Sequence, residues 1–252
     1  MDGKISKKYY RTDYLFIKPK HLIYSHFPEN VSHQLLTSPI SAAQFGVLPP
    51  LNPKFFLIVK NPSANLKKKN HVSNRTSFEY SLKDGYYLRF IVKEMKNDIE
   101  IELKNRVFIL TKGARHIAHF SFPSAGYYKV NIFYHEVGEL KSFGCGEFIY
   151  IASTGSRTEF PIPFSSTAKN LEIMSPIEMP LKKGKLYTFS VKIENKSNVA
   201  IIHGKNFIEL TKRKDDFFYK DYVIPKDINE LKLGIADIDK NSYEIILKYH
   251  VE

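Results

Sequence analysis

Cys145 is the only thiol in the sequence, so any cysteine-based chemistry would have to begin there. Nucleophilic catalysis needs a histidine beside the thiol and usually a carboxylate that orients the histidine. His135 is the nearest histidine along the chain, and spacing alone does not place its ring beside the sulfur. Gly144 and Gly146 flank the cysteine and favour a bulge or tight turn that leads into a strand at residue 147. We therefore predict no catalytic residue, and a single cysteine cannot form an intramolecular disulfide.

Two histidines, His116 and His119, are three residues apart, which would place them on one face of a helix. The residues around them alternate as in a strand, where positions i and i+3 point to opposite faces. His21, His26 and His33 are scattered near the N-terminus without a cysteine or acidic pattern around them. We therefore predict no metal site. The sequence also lacks the glycine-rich loops that bind phosphates, so we expect no cofactor.

Positive charge is concentrated in the first 75 residues, where twelve basic and three acidic residues give a charge of +9. The remaining 177 residues hold 26 basic and 23 acidic residues, which gives +3. The run of Lys67, Lys68 and Lys69 closes the basic region, and we predict that it forms a basic patch that binds a partner. A solvated flank that aids solubility is the simpler alternative. A second run at residues 7–11 also contains two tyrosines, but a basic terminus leading into packed aromatics explains it better, so no nucleic-acid partner is expected.

The chain has 252 residues, of which 43% are hydrophobic and 25% charged, a composition that allows a folded core. Aromatic residues make up 14% and are all Phe or Tyr, which favours strands. No apolar leader and no run of 18 apolar residues is visible, so we expect a cytoplasmic protein without a membrane span. Secretion is the alternative, and glycans on Asn30, Asn74 or Asn195 would support it.

Hydrophobic and polar residues alternate along several segments, which is typical of strands with one buried face. Leu88, Phe90 and Val92 share one face of such a segment, and turn residues such as Asp84 and Gly85 precede it. The first set of predicted strands comprises 54–60, 77–82, 86–94, 98–103, 106–111, 115–122, 126–135 and 146–152. A second set follows a Ser-, Thr- and Pro-rich stretch and comprises 170–177, 185–194, 198–203, 206–211, 217–224, 230–236 and 242–250.

Four short segments of the first set recur in the same order in the second set. The clearest is Leu110-Thr111-Lys112, which recurs 100 residues later as Leu210-Thr211-Lys212. The other three pairs begin at Gly85 and Gly184, at Phe122 and Ile224, and at Tyr128 and Tyr243. This repetition predicts a duplicated module of about seven strands. The two tyrosines are also candidates for the tyrosine corner of immunoglobulin-like sandwiches, with an ordinary core aromatic as the alternative.

We therefore predict an all-β fold with two tandem immunoglobulin-like β-sandwiches, preceded by a proline-rich, mostly irregular N-terminal arm. The arm is predicted to span residues 1–50, where five prolines break long helices and long strands. A helical turn is expected to begin in it at Ser38 or Ser41. The two sandwiches are predicted to span residues 51–154 and 155–252.

A series of short motifs between residues 24 and 56 is distinctive in its order and spacing. It comprises Tyr24-Ser25-His26-Phe27-Pro28-Glu29, Gln34-Leu35-Leu36, Pro39-Ile40-Ser41, Phe45, Leu48-Pro49 and Phe55-Phe56. The series resembles the segment that follows the catalytic core in kyphoscoliosis-peptidase-type transglutaminase-like proteins, a family that includes the arthropod hillarins. Residues 9–13 are similar to the end of that core, and residues 122–133 are similar to the family's immunoglobulin-like module.

The resemblance covers residues 9–150 and implies the non-catalytic C-terminal part of that family. The family's catalytic Cys, His and Asp lie upstream of the matching segment, so the resemblance implies that this chain is not an enzyme. It implies a protein-binding, scaffolding module and a cytoskeleton-associated adaptor, with a partner of filamin or septin type. Two alternatives stay open: a fragment of a transglutaminase-like peptidase whose catalytic core is missing from this chain, and a secreted or surface-exposed ligand-binding β-sandwich protein.

Overall fold

A computed structural model describes residues 12–62, 66–139, 141–164, 171–196, 198–236 and 242–252 of the chain. The basic run at residues 7–11, with its two tyrosines, lies outside the described residues. Asn170, the first residue of one predicted strand, lies outside them as well.

Helical structure in the described residues is confined to short turns, most of them before residue 59. They are 3-10 turns at Thr12–Tyr14, Val31–Gln34 and Lys214–Asp216 and the helices α1 (Pro19–Leu22), α2 (Ala42–Gly46) and α3 (Pro53–Ile58). Helix α2 confirms the predicted start at Ser41, whose side chain caps the N–H of Gln44 while the Gln44 side chain caps the N–H of Ser41. Within this part of the chain, no helix is long and apolar enough to cross a membrane.

The strand predicted for residues 54–60 is wrong over most of its length, because α3 occupies it. Asn52 caps this helix through its side-chain oxygen, which accepts a hydrogen bond from the N–H of Phe55. Pro53 supplies the fixed φ that suits a first helical position. The apolar residues that suggested a strand are therefore buried by a short helix, and only Val59–Lys60 is extended.

Eighteen strands run through the described residues, and most of the predicted strands are found with shifted ends. They are β1 (Val59–Lys60), β2 (Lys69–Val72), β3 (Arg75–Leu82), β4 (Tyr86–Lys96), β5 (Ile99–Leu103), β6 (Val107–Lys112), β7 (Arg115–Ser121), β8 (Gly126–Glu136), β9 (Ser142–Ala152), β10 (Ile162–Pro163), β11 (Leu171–Ser175), β12 (Leu186–Ile193), β13 (Asn198–His203), β14 (Asn206–Glu209), β15 (Thr211–Lys212), β16 (Phe217–Val223), β17 (Glu230–Ala236) and β18 (Glu244–His250).

The strands form four sheets, which confirms the predicted all-β class. Two sheets have four strands, in the orders β1-β3-β7-β6 and β11-β12-β16-β15. The other two have five strands, in the orders β2-β9-β8-β4-β5 and β10-β18-β17-β13-β14. The four-stranded orders correspond to the ABED sheet of an immunoglobulin-like sandwich, and the five-stranded orders to its GFC sheet with an added strand at each end.

The chain packs into two compact units that interleave along the sequence. The first unit comprises residues up to 70 together with 82–90 and 129–149. Because the units interleave, the domain boundaries at residues 50 and 154 stay a prediction. Most buried side chains of the first unit come from the α3 segment and from β4, β8 and β9, and include Leu51, Phe55, Ile58, Leu88, Phe90, Val130, Ile132, Cys145 and Phe148.

The second unit comprises residues 71–81, 91–128 and 150–252. One hydrophobic core of this unit contains Phe108 together with side chains from residues 160–251. Phe108 of β6 belongs to this core, and its ring stacks on that of Phe160 with the two centroids 6.1 Å apart. The core continues into β12, β16 and the last strand, where its largest fully buried side chains are Phe189, Phe218 and Tyr249.

Polar contacts hold the segment before Phe160 in place. Arg106, which is 9% exposed, donates to the carbonyl oxygens of Ser156 and Thr158, each at 3.0 Å. Its guanidinium also contacts the Glu159 carboxylate at 3.5 Å. The stretch that follows the predicted boundary at residue 154 is therefore tied into a packed core of the second unit.

Candidate binding surfaces

The predicted basic patch lies where β2 begins, at one end of a five-stranded sheet. Lys67 and Lys69 are exposed, whereas Lys68 is half-buried. The N–H of Lys68 donates to the carbonyl oxygen of Val47 at 2.9 Å, and its own carbonyl accepts from the N–H of Ile149 at 2.8 Å. Two of the three ammonium groups thus face solvent at this sheet edge, and their role in binding stays a prediction.

A bulge or tight turn was predicted at Cys145, leading into a strand at residue 147. The turn and that starting point are wrong, because β9 begins at Ser142 and Cys145 lies inside it. The residue is 1% exposed, and burial raises its pKa to about 12. Glycine is required at position 146 by close packing rather than by a turn, because a Cβ on Gly146 would lie 2.3 Å from Cδ2 of Leu51. The N–H of Asn52 donates to the Cys145 carbonyl at 3.0 Å, which fixes this close approach. A thiol that is buried and protonated is a poor nucleophile.

The structure confirms that His116 and His119 point to opposite faces of β7. The ring of His116 stacks on Tyr80 with centroids 5.2 Å apart, and its Nδ1 lies 3.1 Å from the Thr111 hydroxyl. The ring of His119 faces Phe160 instead, with centroids 6.4 Å apart. Burial lowers the pKa of both imidazoles. No group of three or more His, Cys, Asp and Glu side chains in the described ranges could hold a metal ion.

Tyr128 forms the predicted tyrosine corner, since its buried hydroxyl donates to the carbonyl oxygen of Ser124 at 2.9 Å. This tyrosine lies on β8, which occupies the F position of an immunoglobulin-like sandwich. The prediction for Tyr243 is wrong, because its hydroxyl donates to the Glu209 side chain at 3.0 Å. Tyr243 directly precedes β18, which lies between β10 and β17 in its sheet. It therefore stands at a different position in the strand order from Tyr128.

A cluster around Lys54 was missed by sequence reasoning. The Lys54 ammonium lies 3.0 Å from the Glu136 carboxylate and 4.8 and 5.1 Å from the ring centroids of Tyr86 and Tyr134. Burial lowers the pKa of Lys54, but its hydrogen bonds to Glu136 and Tyr86 outweigh this and leave the pKa raised. The cluster attaches α3 to β4 and β8 and is a structural anchor rather than a binding site.

Strand β5 forms the other end of the same five-stranded sheet as β2, and it pairs with β4 on one side only. Ile99 and Ile101 share one face of β5 and are 63% and 45% exposed. Glu100 and Glu102 lie on the opposite face, where Glu100 accepts a hydrogen bond from the Lys93 ammonium at 2.7 Å. An edge strand that displays apolar side chains can accept a further strand from another chain.

No protein-family model matches the sequence, and no curated protein matches it either. Among solved structures, the titin immunoglobulin tandem A164-A165 is similar over 73% of this chain and 91% of that chain, at 9% identity and a TM-score of 0.22. Dpr11 IG1 bound to DIP-gamma matches 73% of this chain and 94% of that one, at 7% identity and 0.21. The Escherichia coli adhesin FdeC matches 73% and 62%, at 8% identity and 0.25. Because these TM-scores are low, the similarities carry no argument about this chain. The description of the fold rests on the strand order and the tyrosine corner.

Proposed function

We propose that this chain is a non-catalytic protein-binding module that accepts an extended segment of its partner at β5. The observation that carries the proposal is the exposed pair Ile99 and Ile101 on a strand at the end of a sheet. Soluble proteins usually protect such edges with charge, proline or a covering segment. A strand added by a partner would cover the apolar side chains and gain backbone hydrogen bonds.

The hairpin that presents β5 is well formed before any partner arrives. Asn97 and Asp98 take positive φ values of 48° and 63°, as a tight two-residue hairpin turn requires. Behind the hairpin, the buried Glu94 carboxylate accepts the Ser124 hydroxyl at 3.1 Å and contacts the Lys96 ammonium at 3.0 Å. A pre-organised edge loses little conformational entropy on binding, which favours affinity.

The class of partner is proposed on a separate ground, the resemblance of the N-terminal motifs to a known family. The motif series between residues 24 and 56 resembles the transglutaminase-like family, and on that ground we propose a cytoskeleton-associated adaptor in the cytoplasm. A protein of filamin or septin type is the expected partner class. The burial of Cys145 weighs against the alternative that this chain itself performs cysteine chemistry.

The experiment compares two double variants with the same added charge. Ile99→Lys/Ile101→Lys places ammonium groups on the β5 edge, whereas Val137→Lys/Val223→Lys places them at exposed positions elsewhere. Purified filamin or septin segments are titrated against each full chain by calorimetry. We expect binding to the wild type and to the control variant, and at least about ten-fold weaker binding to the β5 variant. Equal affinity of both variants would remove β5 from the proposal.

The basic patch is tested separately with the same partner. Neutralising Lys67, Lys68 and Lys69 to Gln should slow association and flatten its dependence on salt, because exposed charges act mainly on the encounter rate. The dissociation rate should stay close to that of the wild type. Unchanged association and salt dependence would exclude the lysines while leaving β5 as the binding edge.

A further inference from the structure

The outward face of the sheet β11-β12-β16-β15 contains an open depression of about 730 Å³ with a mainly cationic lining. Its lining residues are Lys192, Lys212, Arg213, Lys214, Asp215 and Phe217. Four cations and one carboxylate give this lining a charge of +3. Lys212 is already engaged, because its ammonium contacts the Asp216 carboxylate at 3.0 Å and the Lys196 carbonyl at 3.1 Å. Lys192, Arg213 and Lys214 are the remaining cations.

Arg213 is held in a defined orientation by stacking. Its guanidinium carbon lies 3.8 Å from the ring centroid of Tyr219, and Tyr219 in turn stacks on Phe217 with centroids 6.2 Å apart. The N–H of Arg213 donates to the Phe217 carbonyl at 2.7 Å, which fixes the backbone below the stack. No carboxylate among the residues that the structure describes forms a salt bridge with this guanidinium. Its planar fork of donors is therefore positioned and available for a ligand.

Charge is not uniform across the depression. Lys192 lies directly opposite Glu172 in the β11–β12 pairing, and both line a neighbouring cavity together with Glu194. These carboxylates interrupt the positive potential at that end, so the strongest attraction for an anion lies at Arg213 and Lys214. A nucleic-acid backbone needs a longer track of cations than this short site offers.

We propose that the Arg213 face (Lys192, Arg213, Lys214, Phe217 and Tyr219) binds an acidic segment of a partner protein. In this arrangement the guanidinium of Arg213 donates two parallel hydrogen bonds to a side-chain carboxylate, and Lys214 adds attraction for a second carboxylate. Stacking on Tyr219 restricts the arginine before binding, which lowers the entropy lost in forming the pair. This face lies on a different sheet from β5, so it goes beyond the function proposed above.

The test uses the full chain and a fluorescein-labelled peptide of alternating Glu and Ala, with a peptide of alternating Gln and Ala as the neutral probe. Fluorescence anisotropy should show binding of the Glu peptide that weakens with salt, and no binding of the Gln peptide. Arg213→Lys keeps the charge but removes the fork, and we expect it to weaken binding about ten-fold. Lys205→Ala removes an exposed charge in the turn between β13 and β14, two strands of another sheet, and should change affinity by less than about two-fold.

Two further measurements separate recognition from general charge attraction and from damage to the fold. Tyr219→Phe keeps the stacking platform and should bind as the wild type does, whereas Tyr219→Leu should weaken binding, with all chains melting as single folded species. The proposal is overturned if Arg213→Lys and Lys205→Ala bind alike, or if both peptides bind equally. Binding of an oligothymidylate that is tighter than that of the Glu peptide, and that Tyr219→Leu weakens, would assign the face to nucleic acid instead and overturn the proposal.

Discussion

At the scale of single residues, burial decides what Cys145 can do. The thiol is 1% exposed and burial raises its pKa to about 12, so at neutral pH the sulfur is both protonated and shielded. We expect no alkylation by iodoacetamide in native buffer and complete alkylation in guanidinium chloride, both followed by intact mass. The denatured sample serves as the control for reagent quality. Rapid labelling of the native chain would contradict this environment and restore a reactive-thiol function.

Gly146 is the residue at which a single methyl group should cost the most in β9. A Cβ there would lie 2.3 Å from Cδ2 of Leu51 and 3.1 Å from the carbonyl oxygen of Pro50. We expect Gly146→Ala to lower the free energy of unfolding by about 1–3 kcal/mol, because the Leu51 segment must move away. Gly144→Ala in the same strand is the matched control, since its Cβ would lie 3.9 Å from the Phe133 ring. Urea unfolding of both variants measures the difference, and equal losses would contradict the crowding argument.

At the scale of elements, α3 depends on the anchor at Lys54. The ammonium combines a salt bridge to Glu136 with contacts to the faces of two tyrosine rings while its side chain is 19% exposed. We expect Lys54→Met to lower the unfolding free energy by about 1 kcal/mol, because the methionine keeps the apolar contacts and loses the charge. Lys60→Met removes a lysine that is 48% exposed and 3.9 Å from Asp84, and it should change stability much less. Chemical unfolding measures the free energy of unfolding of both variants. Equal losses would show that the Lys54 contacts do not contribute to stability.

Long alternating strands were the elements that sequence predicted best. Strands β4 and β8 bury every second side chain, and this period is visible in the sequence without any knowledge of tertiary contacts. Helix α3 was missed because its apolar run looks like a strand unless the capping by Asn52 and Pro53 is given more weight. Element type was therefore predictable where one face is buried regularly, and ambiguous where a short apolar run is buried on several sides.

The internal repeat was recognised correctly in two of its four segments. Leu110 lies in the end strand of one four-stranded sheet, and Leu210 directly precedes the end strand of the other. Phe122 and Ile224 both follow the strand next to that end strand. The glycine pair precedes β4 in one half and β12 in the other, which occupy different sheets. Tyr243 was mispaired with Tyr128 for the same reason. Short motifs fix a turn or a strand locally, but position in the sheet order is set by pairing over long distances.

At the scale of the whole molecule, the core around Phe160 and the Arg213 face were beyond sequence reasoning. Phe160 lies in a stretch rich in Ser, Thr and Pro, a composition that does not point to a buried side chain, yet it is 3% exposed and packs near Phe108. Arg213 and Tyr219 are six residues apart across a sharp 3-10 turn. No periodicity in the sequence predicts that the Tyr219 ring will lie under the Arg213 guanidinium. Both features depend on surfaces that meet only once the sheets have formed.

The stability of the whole chain should fall as the solution is made mildly acidic. Burial lowers the pKa of His21, His116 and His119 in the folded chain, with nearby Lys20 lowering it further at the first and Arg75 at the third. In the unfolded chain these imidazoles take up protons near pH 6.5, so the unfolded state binds more protons as the pH falls. Stability is therefore fully present well above pH 6.5 and decreases below it, before most carboxylates titrate.

The urea midpoint measured between about pH 8 and pH 5.5 tests this dependence. We expect a plateau at the alkaline end and a decline that begins near pH 6.5 and is less steep in His116→Gln/His119→Gln, because that variant removes two of the three groups. The exposed His250→Gln controls for the introduction of a glutamine. The double variant is also expected to be less stable at every pH, because His116 packs on Tyr80, so the slope with pH and not the midpoint itself is compared. A double variant whose midpoint declines as steeply as that of the wild type would place the acid sensitivity elsewhere in the molecule.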